Sequence, residues 1–506
     1  MTTHGTKTAT ASALALMMTT AAASADVTPA EVWTDWQAYL TDFGFAVTAT
    51  EAQNADGLSL TSIVLTQTLP DEGGEMTMSL PELTLKDNGD GTVHVAYPEE
   101  MPISIKATGE DALSLDFLYR TTDMDMNVSG DPSEMTYTYT AAAVGVTMDN
   151  MTSGDEAVDF GKVIFDLQDV SGQTVMTVDG GRIADQKISA GAATYEFAFS
   201  DPEEGTNSAN MTGSIESLDM AAKMTMPKDT DMNDMSAALA AGLAMDAAYT
   251  FGASASVFEF TDEEGVTKGT SSSSGGKLDL RMDEGQLSYG GTSSDVRIEA
   301  SVPNLPFPVE MGMKEAQFDL AMPLQKGDAP QDFGLTFVLG DLTVSDMIWT
   351  LFDPEGKLPR DPATLALDLD GKASILADIF DPVAMAKAEE NDETPAELNA
   401  LTVNRLQLSL AGAELTGQGD VTFDNDDMTT YDGKPKPVGD VALKLTGANT
   451  LLDNLVAMGL VPEDQVMGMR MMMSVFAVPG EGEDELTSKI EFTEEGGIVA
   501  NGQRLK

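Results

Sequence analysis

Cysteine is absent from this chain, and histidine occurs only at His4 and His94. The side chains that usually serve as nucleophile, base or soft-metal ligand are therefore almost missing. A nucleophilic serine needs an activating base, and after the N-terminal segment that base would have to be His94. It lies in Thr92-Val93-His94-Val95-Ala96. Val93 and Val95 share one face of that stretch, and His94 takes the other, solvated face. No G-x-S-x-G elbow, phosphate-binding loop or dinucleotide fingerprint is present. Paired carboxylates could hydrolyse glycosides. With 84 acidic residues, however, closeness of two carboxylates carries no information, and the aromatics that sugar sites use are only 6% of the chain. A carboxylate-based hydrolase is one alternative reading.

Hard oxygen ligands suit calcium. Asp229, Asp231 and Asn233 match the first three ligand positions of an EF-hand loop, but Asp234 replaces its glycine and Ala240 its closing glutamate. Asp424, Asp426 and Asp427 cluster likewise without a glycine. Both groups read as acidic caps and turns, and a calcium-dependent structural or adhesive module is the second alternative. Among the 32 methionines, Met467, Met469, Met471, Met472 and Met473 offer thioethers of the kind that bind Cu(I). Helical spacing has a plainer account: Val466, Met469, Met473 and Phe476 form one buried stripe, which methionine packs well. No catalytic, cofactor-binding or metal-binding residue is assigned, and no cofactor is expected.

The elements that would have to position such groups are mostly strands. Leu113, Leu115, Phe117 and Tyr119 alternate with polar residues, as do Met135, Tyr137 and Tyr139, and Tyr195, Phe197 and Phe199. The same period of two recurs at Leu278–Met282, Phe318–Met322, Leu365–Leu369, Leu406–Leu410 and Val441–Leu445. One apolar and one polar face per strand signals antiparallel sheet with a solvated side. Asp87–Gly91 reads as a hairpin turn, as do Gly180-Gly181, Gly290-Gly291 and Gly496-Gly497. Thr270–Gly276 is either a loop tip or a flexible joint. Helices are expected at 29–42, opened by a Thr28/Glu31 capping box with Pro29, and at 235–245, 345–352, 382–390 and 449–476. The last is a helical pair across Gly459.

Lys7, the apolar run Ala9–Thr20 and Ala23-Ser24-Ala25 fit a secretory signal cleaved after Ala25. The run is too short and too rich in Thr and Ser for a membrane span. The mature chain should start at Asp26 and be periplasmic. The full sequence's formal net charge of −57 repels nucleic acid and anionic headgroups and suits a salty medium.

Trp349-Thr-Leu-Phe-Asp353-Pro-Glu-Gly-Lys-Leu-Pro359-Arg360-Asp361-Pro362-Ala-Thr-Leu365 is the first of two diagnostic stretches. The second runs from Phe423–Asp427 through Leu460–Asp464 to Asn501–Leu505. In these the chain resembles the exported alphaproteobacterial domain-of-unknown-function family 2125, for which no catalytic residue can be transferred. Its layout is similar, more distantly, to AsmA-type envelope proteins. That likeness implies long curved sheets whose apolar inner face holds lipid chains. Physically, Asp353-Pro354 and Asp361-Pro362 start turns, and Arg360 should pair with a carboxylate. The expected fold is mainly β: long curved antiparallel sheets with a few flanking helices in two pseudo-repeated halves, 26–270 and 271–506 after the signal 1–25. The expected role is a non-enzymatic periplasmic protein that binds an apolar ligand or lipid, or supports the envelope.

Overall fold

A computed structural model describes residues 26–68, 74–108, 112–154, 156–158, 161–200, 207–232, 234–391 and 394–506. The expected signal segment 1–25 lies outside them. The strands form one antiparallel sheet of 27 strands. Around it are α1 (Pro29–Asp42), α2 (Met235–Ala240), α3 (Asp346–Phe352), α4 (Pro382–Glu390), α5 (Ala448–Ala457) and α6 (Glu463–Phe476). The fold is mainly β, as the alternating pattern predicts.

The sheet is a long meander. Twice it inserts the same device, in which four short strands fill two ladder positions between two long strands. Glu75–Asp87 pairs with Val93–Ala96 through its C-terminal half and with Glu100–Ala107 through its N-terminal half. Leu113–Thr122 and Asp125–Asp131 then lead to the long strand Glu134–Ser153. Ser208–Pro227 repeats this connectivity through Ala244–Phe251, Ser254–Asp262, Gly265–Ser273 and Gly275–Met282 to Gln286–Ser301.

A crease crosses the strands. Ser62, Asp123, Asp169, Ser217, Asp295 and Asp341 have φ between 49° and 53°, a region that short polar side chains tolerate best. Most sit inside long strands, where the pairing skips a residue. Ser217 falls opposite Gly191, which abuts Asp169, and Asp295 falls opposite Lys314, which reaches Asp341 at 3.8 Å. Such bulges bend a strand. Aligned from strand to strand, they fold the sheet into two walls. Apolar side chains from both sides of the line then pack together: Val144, Leu167 and Ile215 on one wall, Val170, Ile188 and Leu218 on the other. Ala193 at the crease is fully buried although it is only an alanine. The apolar face is therefore the inner one.

Helices close parts of this trough. α1 carries the expected capping box. With Val27, its Val32, Trp33 and Trp36 cover the inner face of the first strands, leaving Leu60, Leu85, Val93, Val95 and Val128 fully buried. α2 and the Ile379-Phe380 segment pack on the strand ends at the rim, against Met226 and Leu324. Beyond Asp341, α3 and α5 pack against Val344 through Trp349, Leu451 and Leu455.

Four sequence expectations are corrected. The helix expected at 235–245 stops at Ala240, because Gly242 (φ 105°) turns the chain and Ala244–Phe251 is a strand. Gly290-Gly291 is no turn; it lies mid-strand, paired with Asp279 and Leu278 on one side and Asp319 and Phe318 on the other. Thr270–Gly276 is no flexible joint; Thr270–Ser272 pair on both sides, and Gly275 and Gly276 start the next strand. The methionine stripe of α6 is not buried: Val466 is, but Met469 and Phe476 are exposed.

Candidate functional site: an open apolar face

Opposed residues in an antiparallel ladder point to the same face, so the register identifies what lines the trough. From Tyr139 the ladder runs through Gly172, Ile188, Met220, Tyr249 and Leu278. It continues through Gly291, Phe318, Phe337, Leu367 and Leu406 to Gly417 and Leu443. No charged residue interrupts it. At about 4.8 Å per strand, a stripe crossing about a dozen strands runs roughly 60 Å. On the other wall a parallel stripe joins Phe117, Met148, Val163, Phe197, Met211 and Phe258.

Past α1, no other layer among the described residues covers the stripe. Phe165, Phe199, Phe260, Tyr289 and Phe318 remain between 38% and 47% exposed, and Leu278, Leu365 and Leu408 between 37% and 46%. A ring carries roughly 200 Å² of surface. Five rings so exposed leave about 400 Å² of aromatic surface, the size of patch that marks a binding surface on a soluble protein. A hollow of about 300 Å³ opens here, lined by Phe251, Leu278, Tyr289, Phe318, Phe337 and Leu339. The outer face is the reverse in character. Asp279, Asp319, Asp368 and Asp370 lie there, beside Lys277–Asp279 and Arg281–Asp283 pairs.

One buried polar cluster locks α1 into its end of the trough. Asp35 of α1 pairs with Arg182 and accepts a hydrogen bond from the Tyr137 hydroxyl at 3.1 Å, while the Trp36 indole donates to that hydroxyl at 3.2 Å. Burial, with the Asp35 carboxylate nearby, pushes the Tyr137 hydroxyl far above its ordinary pKa. Sequence reasoning missed this cluster. The pairing joins residues more than a hundred positions apart, and the one available signal was an arginine in an apolar-patterned strand.

The residues singled out by sequence stay apart. His94 is a strand residue with Nδ1 3.2 Å from Asp125, while Val93 and Val95 are buried on the opposite face. Asp234 caps α2 by accepting from Ala237 N–H, and Asn233 lies outside the described residues. Asp424 and Asp427 share Lys436 at 3.1 and 3.4 Å. Hydrogen bonds from Thr430 hold the Asp427 carboxyl down to about 2. Among the described residues no group of three metal-ligating side chains converges. Arg360 pairs with Asp346 at 2.7 Å beside the Trp349 ring. Asp353, fully buried, accepts from Lys357 and Leu358 N–H at 2.9 Å each.

These geometries describe a creased β-trough. Residues 258–502, the C-terminal half of the chain, match a family described as an uncharacterized protein conserved in bacteria (DUF2125). No curated protein and no solved structure matches the chain. Among the described residues no helix is long and apolar enough to cross a membrane.

Proposed function

We propose that this is an exported, non-enzymatic envelope protein that holds an apolar ligand, a lipid acyl chain, in the open part of the trough. The observation that carries the reading is the uncovered inner face. An apolar sheet face must be buried by a second sheet, by helices or by a ligand, and the helices cover only the N-terminal end and the rims. Burial would contribute about 0.8 kcal/mol per methylene, offset by the cost of immobilising the chain. The acidic exterior favours neutral or zwitterionic headgroups over anionic ones.

A carboxylate-based hydrolase needs two convergent carboxylates. The buried ones among the described residues, Asp35 and Asp353, belong to separate clusters, each with its own partners. The test uses protein recovered from the envelope fraction of its own cell. It should begin at Asp26, release lipid on solvent extraction, and bind cis-parinaric acid, a fluorescent linear fatty acid, in competition with zwitterionic phospholipid. Absence of both extracted lipid and probe binding would remove the ligand reading.

A further inference from the structure

Glycines on the two faces of the sheet have different neighbours. On the outer face Gly145 lies under Asp166, and Gly290 under Asp319. On the inner face glycines stand directly opposite large apolar side chains: Gly172 opposite Tyr139, Gly213 opposite Tyr195, Gly269 opposite Phe258 and Gly371 opposite Phe333. In each inner pair the end of the ring lies over the glycine, where a Cβ would overlap it. Leu278 over Gly291 and Leu443 over Gly417 repeat the arrangement with leucine.

A side chain normally stands away from the sheet. Where the opposed residue has no Cβ, a ring can lie flat across it and cover the exposed backbone. The flat ring keeps its apolar surface but does not project into the trough.

We propose that these inner-face glycines set the depth of the trough. By letting the rings recline, they keep open a shallow, continuous slot that accepts an unbranched acyl chain running across the strands. This deepens the function proposed above and rests on it. The uninterrupted ladder and its length favour a long linear chain over a compact apolar molecule. A Cβ at Gly172 or Gly213 would force the opposed ring up into the slot and block the path at that strand.

The experiment measures cis-parinaric acid affinity for the full mature chain and for Gly172→Ala, Gly213→Ala and the paired variant Tyr195→Ala/Gly213→Ala. Gly290→Ala is the control, crowded by the end of the Asp319 side chain on the outer face. Circular dichroism and thermal melting check folding. The inner variants should bind at least tenfold more weakly, the pair should regain affinity to within threefold, and Gly290→Ala should bind as the parent does. Folded inner variants with parental affinity would overturn the proposal, and so would a folded pair that fails to regain it. So would loss of folding in both inner variants while Gly290→Ala folds, because the glycines would then serve packing alone. A parent chain that does not bind the probe sinks the function reading itself, a distinguishable failure.

Discussion

Replacing Arg182 with methionine tests how α1 is held. Arg182 and Asp35 are 5% and 9% exposed. With the guanidinium gone, the Asp35 carboxylate keeps, among the described residues, the Tyr137 hydroxyl alone in a site with little access to water. Removing one partner of a buried ion pair costs about 3–5 kcal/mol, whereas replacing both with apolar residues is often neutral or better. Arg182→Met should therefore release α1 early, and Asp35→Leu/Arg182→Met should restore most of the loss. Of the three tryptophans, Trp33 and Trp36 sit in α1, with Trp36 stacked on Tyr137 at 6.5 Å, so the red shift of tryptophan emission in urea reports this docking. At a slope of about 1–3 kcal/mol per molar urea, the midpoint should fall by on the order of 1–5 M. An unchanged midpoint in Arg182→Met would refute the argument. A double variant as weak as the single would refute its electrostatic basis and leave lost packing against Tyr39 as the cause.

Two further outcomes follow from the polar sites. His94→Gln should change stability by no more than about 0.5 kcal/mol, as at ordinary surface positions; a loss of several kcal/mol in a urea titration would mean that the Asp125 contact is structural. Burial pushes the Asp353 carboxyl up, but the Leu358 and Lys357 amides and the Arg360 charge outweigh it and hold the group below its usual range. Because the folded pKa is depressed, its stabilising effect is present above the unfolded carboxylate value, about 3.9, and is lost as pH falls through the folded value. The protection of the Lys357 and Leu358 amides, taken relative to their intrinsic exchange rate at each pH, should then fall in acid, and Asp353→Asn should remove that acid dependence. Protection that still falls in acid in Asp353→Asn would contradict the assignment.

Much of the fold was legible because strand side chains alternate with a period of two and helices repeat near 3.6. Tyr195-Phe197-Phe199 and Leu406-Leu408-Leu410 announce which face is apolar, and Thr28-Pro29-Glu31 announces where α1 begins, from local chemistry alone. The glycines and serines were misread for a physical reason. Local sequence cannot tell a glycine needed for a turn from one needed to receive a neighbouring side chain. Gly291 serves the second purpose, under Leu278. The stretch Thr270–Ser272 looks like a linker until the strands on either side of it are known.

Composition and periodicity determined an acidic, cysteine-free, antiparallel β protein with amphipathic strands and little ordinary catalytic equipment. Tertiary structure alone decided whether the apolar face would be closed. That depended on the alignment of Ser62, Asp169, Ser217, Asp295 and Asp341 across strands far apart in sequence, which creases one sheet instead of stacking two. It depended also on Arg182 meeting Asp35, which fixes α1 at one end and leaves the remaining apolar stripe uncovered. Both are register effects: pairing partners are set by the whole ladder, and no window of the chain contains them.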